Sequence, residues 1–240
     1  MKPAILLITF AFTLGAQMLS GIIADTHLVN VTTVTTTLLD HKSGHSSGGG
    51  AGAAATTSAL NCTGASLLTV SIYAAFNDPA TDVTVTDSVG GNAYSHTATA
   101  RSGFSIFLAS TFYVAGSPHV GSSQTFTATP TGASLLGISA SCWSGPTVFD
   151  SADAGSFNYP CTPGSVTPTG SSLFLTYVTS NNNTDVITVN SPFAITENLL
   201  PIGGSSIGGV LAWATSGSAQ NSTWSDTLSA GGICQTGAWK

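Results

Sequence analysis

Charge is nearly absent from this sequence. Of its 240 residues 6% are Asp, Glu, Lys or Arg, against about a quarter in ordinary soluble domains. Arg101 is the only arginine, and Lys2, Lys42 and Lys240 are the only lysines. A phosphate backbone is held by several cationic contacts, so nucleic acid is excluded as a partner. Glu197 is the only glutamate, which leaves a paired-carboxylate glycosidase without support. There is no Cys-x-x-Cys spacing and no Cys/His cluster, so structural zinc is excluded as well. After the first two dozen residues helical periodicity is missing too. What remains is 42% hydrophobic, with 27 glycines and a net charge of −6, enough apolar content to bury a core.

The one long apolar run, Ala4 to Leu14, follows Met1-Lys2-Pro3 and precedes Gly15, Ala16, Ser20 and Gly21. A basic start, a short apolar stretch and small residues for cleavage are the layout of a secretory signal peptide, set here at residues 1–24. The run falls short of the about 20 residues of a membrane-spanning helix. Extended through Met18, Leu19, Ile22 and Ile23 it would make an uncleaved anchor, the only route to a membrane that the sequence offers. Export permits disulfides, and Cys62, Cys142, Cys161 and Cys234 are an even number, with three pairings open. The favoured expectation joins Cys142 to Cys161 across a loop and Cys62 to Cys234, the first body strand to the last.

Period-two alternation recurs along the rest of the chain. In Ser66–Phe76 the residues Leu68, Val70, Ile72, Ala74 and Phe76 share one face, and that face is core. Phe104, Ile106, Leu108, Phe112 and Val114 repeat the pattern, with Phe107 and Tyr113 opposite, as in a central strand covered on both sides. Further runs stand at 82–87, 93–100, 124–129, 135–143, 173–179, 185–189, 193–197, 210–215, 223–228 and 233–239. Turn signals such as Asn77-Asp78-Pro79, Gly90-Gly91-Asn92 and Pro163-Gly164 separate them. About a dozen short strands predict an all-β, two-layer antiparallel sandwich of jelly-roll type over residues 56–240. No constant period of 20–50 residues with matching positions is found, which excludes a solenoid.

Before the body, residues 25–41 contain an isolated β-branched segment, Leu28 to Leu39, and residues 42–55 read as a Gly/Ser-rich linker. A tethered strand presenting Val29, Val31, Val34 and Leu38 either completes its own sheet or adds to a neighbouring subunit.

Motifs that carry chemistry are sparse. Gly204-Ser205-Ser206-Ile207-Gly208 fits the nucleophile elbow, but a strand follows it and no histidine comes after Ser206. Asp150 and Asp153 offer oxygen ligands to calcium without matching an Asp-x-Asp-x-Asp-Gly loop; solvated carboxylates are the ordinary reading, and no cofactor is otherwise implied. His41 and His45 have a metal-binding spacing only on a helix, and they stand in the glycine linker. Asn30, Asn61, Asn182 and Asn221 begin glycosylation sequons. Among the aromatics, Trp224 and Tyr159 lie in polar surroundings, where a sugar-stacking platform would be sought; the others read as core.

The stretches Ala55–Val70, Thr86–Tyr94, Phe112-Tyr113-Val114-Ala115 and Gly170-Ser171-Ser172-Leu173-Phe174 together carry a resemblance. Residues 55 to 239 resemble uncharacterised β-sandwich domains of bacterial secreted proteins and of bacteriophage virion proteins, often described as concanavalin-like or jelly-roll. The resemblance implies a fold and a setting, secreted or virion, and transfers no catalytic residue. The leader and cysteines suit export better than a particle assembled in cytoplasm. The resulting expectation is a non-catalytic extracellular structural or adhesive subunit that self-associates, polymerising through the Leu28–Leu39 strand. Neutral Ser/Thr faces suit close-packed subunits, because they hydrogen-bond without the desolvation penalty of ions. The alternative is a lectin-like module for cell-surface glycans, calcium-assisted through Asp150 and Asp153; a secreted hydrolase using Ser206 is the third.

Overall fold

A computed structural model of the chain describes residues 35–46, 53–75, 82–101, 107–132, 135–157, 160–180, 186–199, 208–226 and 232–240. The leader, Val29, Val31, Val34, Asn30, Asn182, Tyr159 and the Ser206 motif lie outside the described residues. Among the described residues no helix is long and apolar enough to cross a membrane. The fold is all-β and antiparallel, with no closed sheet, as the alternation in the sequence predicts.

One large sheet is built on β3 (Leu67–Ala75), whose register with β7 (Phe107–Ala115) and β9 (Leu135–Ser144) runs unbroken along its length. Outside β9 lies β1 (Thr37–His45), and outside β7 the short β5 (Ser95–His96) and β6 (Ala100–Arg101). A smaller sheet, β2 (Ala55–Thr56), β8 (Phe126–Pro130) and β4 (Val83–Asp87), covers one face of the large one. Leu68, Val70 and Ile72 pack there against Ala55, Val83, Phe126 and Ala128.

The chain then traces the same path again. The second large sheet runs β10 (Phe149–Phe157), β16 (Gly232–Trp239), β11 (Ser172–Ser180), β14 (Gly208–Ser216) and β13 (Ala194–Leu199), the order of the first. Its cover is a ribbon of β12 (Ile187–Val189) and β15 (Trp224–Asp226), extended by a bridge from Cys161 to Trp224 where the first half has β2. Each half is thus a jelly-roll sandwich, and the two are stacked through their large sheets, so that the molecule has four layers and not the two expected.

Stacking explains why β3 is buried at all nine positions, beyond the alternate ones that periodicity marks. Its outer face meets the small cover sheet, while its inner face, with Leu67 and Tyr73, meets the other half. Trp143, Leu173, Leu175 and Trp239 fill one end of that interface. At the other, Tyr73 meets Tyr177 edge-to-face with centroids 5.8 Å apart. Gly209 admits this approach, since a Cβ there would stand 2.4 Å from the Tyr73 ring. Gln235 locks the centre, accepting from Thr97 Oγ1 at 2.8 Å and from the Tyr177 hydroxyl, and donating to the Ala98 carbonyl.

The two tyrosines differ in one respect. The Tyr73 hydroxyl is buried beside the Ser139 hydroxyl without a well-formed hydrogen bond among the described residues, whereas that of Tyr177 donates to Gln235. An unpaired buried hydroxyl is unfavourable, whereas losing the donor of a formed hydrogen bond gives up about 0.5–1.5 kcal/mol. Tyr73→Phe is therefore expected to leave the urea unfolding midpoint unchanged or raise it, and Tyr177→Phe to lower it. Equal losses in both variants would contradict this assignment.

The disulfides correct the expected pairing. Cys62 is joined to Cys142, and Cys161 to Cys234. The physical reason is the duplication: in each half the bond ties the segment preceding the central strand to the strand beside it. A Cys62–Cys234 bond would have to cross two sheets. Both bonds fit an oxidising, extracellular setting.

Candidate functional site

Three of the residues singled out from the sequence have structural roles in place. Trp224 is enclosed completely, which corrects its reading as an exposed sugar platform. Its backbone N–H and carbonyl pair with those of Cys161, and its indole Nε1 donates to Thr176 Oγ1 at 3.0 Å. The polar neighbours that suggested solvent, Ser222 and Thr223, flank a strand whose tryptophan turns inward. Asp150 lies on β10 with its carboxylate already engaged. It accepts from Thr169 N at 2.8 Å, Thr169 Oγ1 at 3.0 Å and Ser172 Oγ at 3.3 Å, with Lys240 Nζ 3.8 Å away. Burial acts to raise its pKa, but these donors outweigh it and hold the carboxyl below its usual value. Asp153 lies against Gly164, where a Cβ would come 2.3 Å from Asp153 Oδ2. Among the described residues no three His, Cys, Asp or Glu side chains converge on one point.

Asp87 belongs to the same class of structural carboxylate. It accepts from the Val89 and Gly90 amides at 3.0 Å and from Asn92 Nδ2 and Tyr94 Oη at 2.9 Å, and so closes the turn after β4. Burial raises its pKa, and the four donors more than reverse this, so the net shift is downward. A carboxylate with a lowered folded pKa stabilises the protein above its unfolded value, about 3.9, and that contribution is lost as pH falls through the folded pKa. Asp87→Asn is thus expected to destabilise at neutral pH and to shrink the loss of stability on acidification. Urea melts of parent and variant from neutral pH into the acid range check it; parallel acid limbs would contradict it.

The exposed feature with the most specific construction is β1. Among the described residues it is an edge strand, paired only with β9, from Thr37 opposite Ser144 to His45 opposite Gly137. A bulge between Leu38 and Asp40 turns Leu39 outward, where it is 38% exposed. Asp40 Oδ2 accepts from Asn61 N at 2.8 Å, and Oδ1 accepts from His41 N at 2.8 Å and faces Lys42 Nζ at 3.4 Å. Burial alone would raise the Asp40 pKa; these donors lower it on balance. His41 Nδ1 meets Glu197 Oε1 on β13 at 2.5 Å and so pins the strand to the other half. Gly44 lies so close to β2 that a Cβ would stand 2.2 Å from the Thr56 carbonyl oxygen. Just past the strand, Ser46 N donates to the Leu136 carbonyl at 2.9 Å and Ser46 Oγ accepts from Leu136 N at 3.1 Å.

Residues 42–45 are therefore strand, which corrects the linker expected to begin at residue 42. Of the proposed assembly residues Leu38 is in place, opposite Trp143 of its own sheet. Composition hid the rest: Asp-His-Lys-Ser-Gly-His has no alternation of apolar residues. The His41–Glu197 pair was equally invisible, because its partners are 156 residues apart. Its only signal was that Glu197 is the single glutamate. No family model, curated protein or solved structure matches the chain.

Proposed function

We propose that the chain is a non-catalytic structural or adhesive subunit of an extracellular or virion surface assembly. The observation that carries this reading is β1, a sheet edge with one strand neighbour among the described residues, continued upstream by the β-branched sequence Leu28–Thr36. Sheet edges with free backbone donors and acceptors are the usual template for pairing with another chain. Two disulfide-tied sandwiches stacked through a buried interface supply a rigid unit, and the scarcity of charge suits burial of its faces against neighbours. The resemblance to jelly-roll domains of secreted and virion proteins agrees with the setting. Burial of Trp224 removes the first residue on which a glycan-binding reading relied.

Light scattering and negative-stain imaging of the chain, beside a version lacking residues 25–45 and hence β1, test the reading. Assemblies of defined shape are expected from the full chain, diminished in the trimmed one. Monodisperse monomers in both, together with binding on a glycan array, would replace it with a lectin-like function.

A further inference from the structure

The two halves are built alike but attached differently at one strand. In the second half β10 takes the place of β1, as the outer neighbour of β16. It is joined to β9 by Gly145–Val148 alone, and that connection is clamped, with Thr147 N and Val148 N donating to the Lys240 carbonyl at 2.7 and 2.8 Å. It cannot leave its sheet without carrying the preceding half with it. β1 precedes every other described strand and is followed by Ser46-Ser47-Gly48-Gly49-Gly50-Ala51-Gly52-Ala53-Ala54. A chain stretch reaches about 3.3–3.6 Å per residue when extended, so the residues between Ser46 and Ala55 set how far β1 can reach from its own body. β1 is also only partly buried along its length, in contrast to β3.

The place that β1 occupies is selective. Its register is fixed by the bulge at Leu38/Asp40, the Asp40–Asn61 hydrogen bond, the His41–Glu197 pair and the fit of Gly44 against Thr56. Each of these contacts is formed equally well by the β1 of a second copy, because exchange of an identical element makes no new interface.

We propose that β1 (Thr37–His45) exchanges between copies of this chain, each donating the strand to the β9 edge of another. Reciprocal exchange closes a dimer; one-way exchange propagates a polymer. The tether holds β1 near its own sheet at an effective concentration on the order of millimolar, so closure within one chain prevails in dilute solution and exchange grows with protein concentration. This proposal rests on the assembly reading above and identifies the partner as a second copy and the contact as β1 on β9.

The test uses full-length Ser43→Cys and Ser139→Cys variants, whose altered residues are register partners. The doubly substituted chain controls for geometry by forming the bond within itself. The single variants are mixed at high concentration in urea without reductant, refolded together and treated with a mild oxidant. A species of twice the chain mass that neither variant forms alone, growing with concentration, is the expected result. Lys42→Cys with Ala140→Cys reads the same pairing from the opposite face if the first pair folds poorly. Assemblies seen by light scattering without that cross-link from either pair would overturn strand exchange and leave the assembly reading standing. Monomers without cross-link would overturn both.

Discussion

Replacing Cys161 and Cys234 together by alanine is expected to lower the unfolding free energy by about 4.5 kcal/mol, the loop-closure value for a loop of this length. The bond closes 73 residues, and its counterpart Cys62–Cys142 closes 80, so the two losses should be nearly equal. Each bond joins a cover segment to a large sheet within one half, which gives the loss a location as well as a size. Without Cys161–Cys234, the ribbon of β12 and β15 should exchange its amide protons fastest, while the first half keeps its protection. Hydrogen exchange on the two double variants reads this directly. A loss of protection spread evenly over both halves would contradict the division of the molecule into two sandwiches.

Trp143→Ala carries the second large expectation. Trp143 and Trp239 stand at equivalent places, opposite Leu67 and Leu173, and both are enclosed between the halves. Trp143 meets Trp213 edge-to-face at 5.2 Å and donates from Nε1 to Thr69 Oγ1 at 3.2 Å. Truncating a buried tryptophan of this kind removes about 3–5 kcal/mol. Because Leu38 of β1 pairs opposite Trp143, the variant should also loosen the edge strand, and protease cleavage within residues 37–45 should quicken before global unfolding. Trp239→Ala should cost a similar amount without touching β1. A milder pair of variants separates packing from polarity: the Trp239 indole N–H has no partner among the described residues, so Trp239→Phe should be better tolerated than Trp143→Phe, which also gives up the hydrogen bond to Thr69 Oγ1. Denaturant midpoints for the four variants check the order.

These expectations also show where sequence and structure part. The strands of both cores were legible because their apolar residues alternate: β3, β9, β11 and β16 fall within a residue or so of the runs read from period two. β10 was not, since Phe-Asp-Ser-Ala-Asp-Ala-Gly-Ser-Phe is an edge strand and has no apolar face to alternate; its aspartates suggested a cation loop. The duplication left few matching letters. Gly64-Ala65-Ser66-Leu67 and Gly170-Ser171-Ser172-Leu173 match at three of four positions, but their separation exceeds the 20–50 residues at which solenoid repeats recur. Jelly-roll pairing is set by which strands neighbour one another far along the chain, and alternation within a strand carries no record of that.

For the same reason the disulfide pairing was out of reach. Cys62 and Cys234 do lie beside the first body strand and on the last, yet those strands belong to different halves, and only knowledge of the duplication separates them. The site was legible to a smaller degree. A detachable strand near the N-terminus could be anticipated from β-branched residues followed by glycine, although the described strand is set further along than the expected segment, over Thr37–His45. Its anchors could not, because Asn61, Glu197 and Thr56 reach it through the tertiary fold.

Native mass spectrometry of the full chain across a wide range of concentration tests the functional reading most directly. The account predicts oligomers that grow with concentration and are lost when residues 25–45, which carry β1, are removed. A strictly monomeric chain at every concentration, with both disulfides intact, would contradict it.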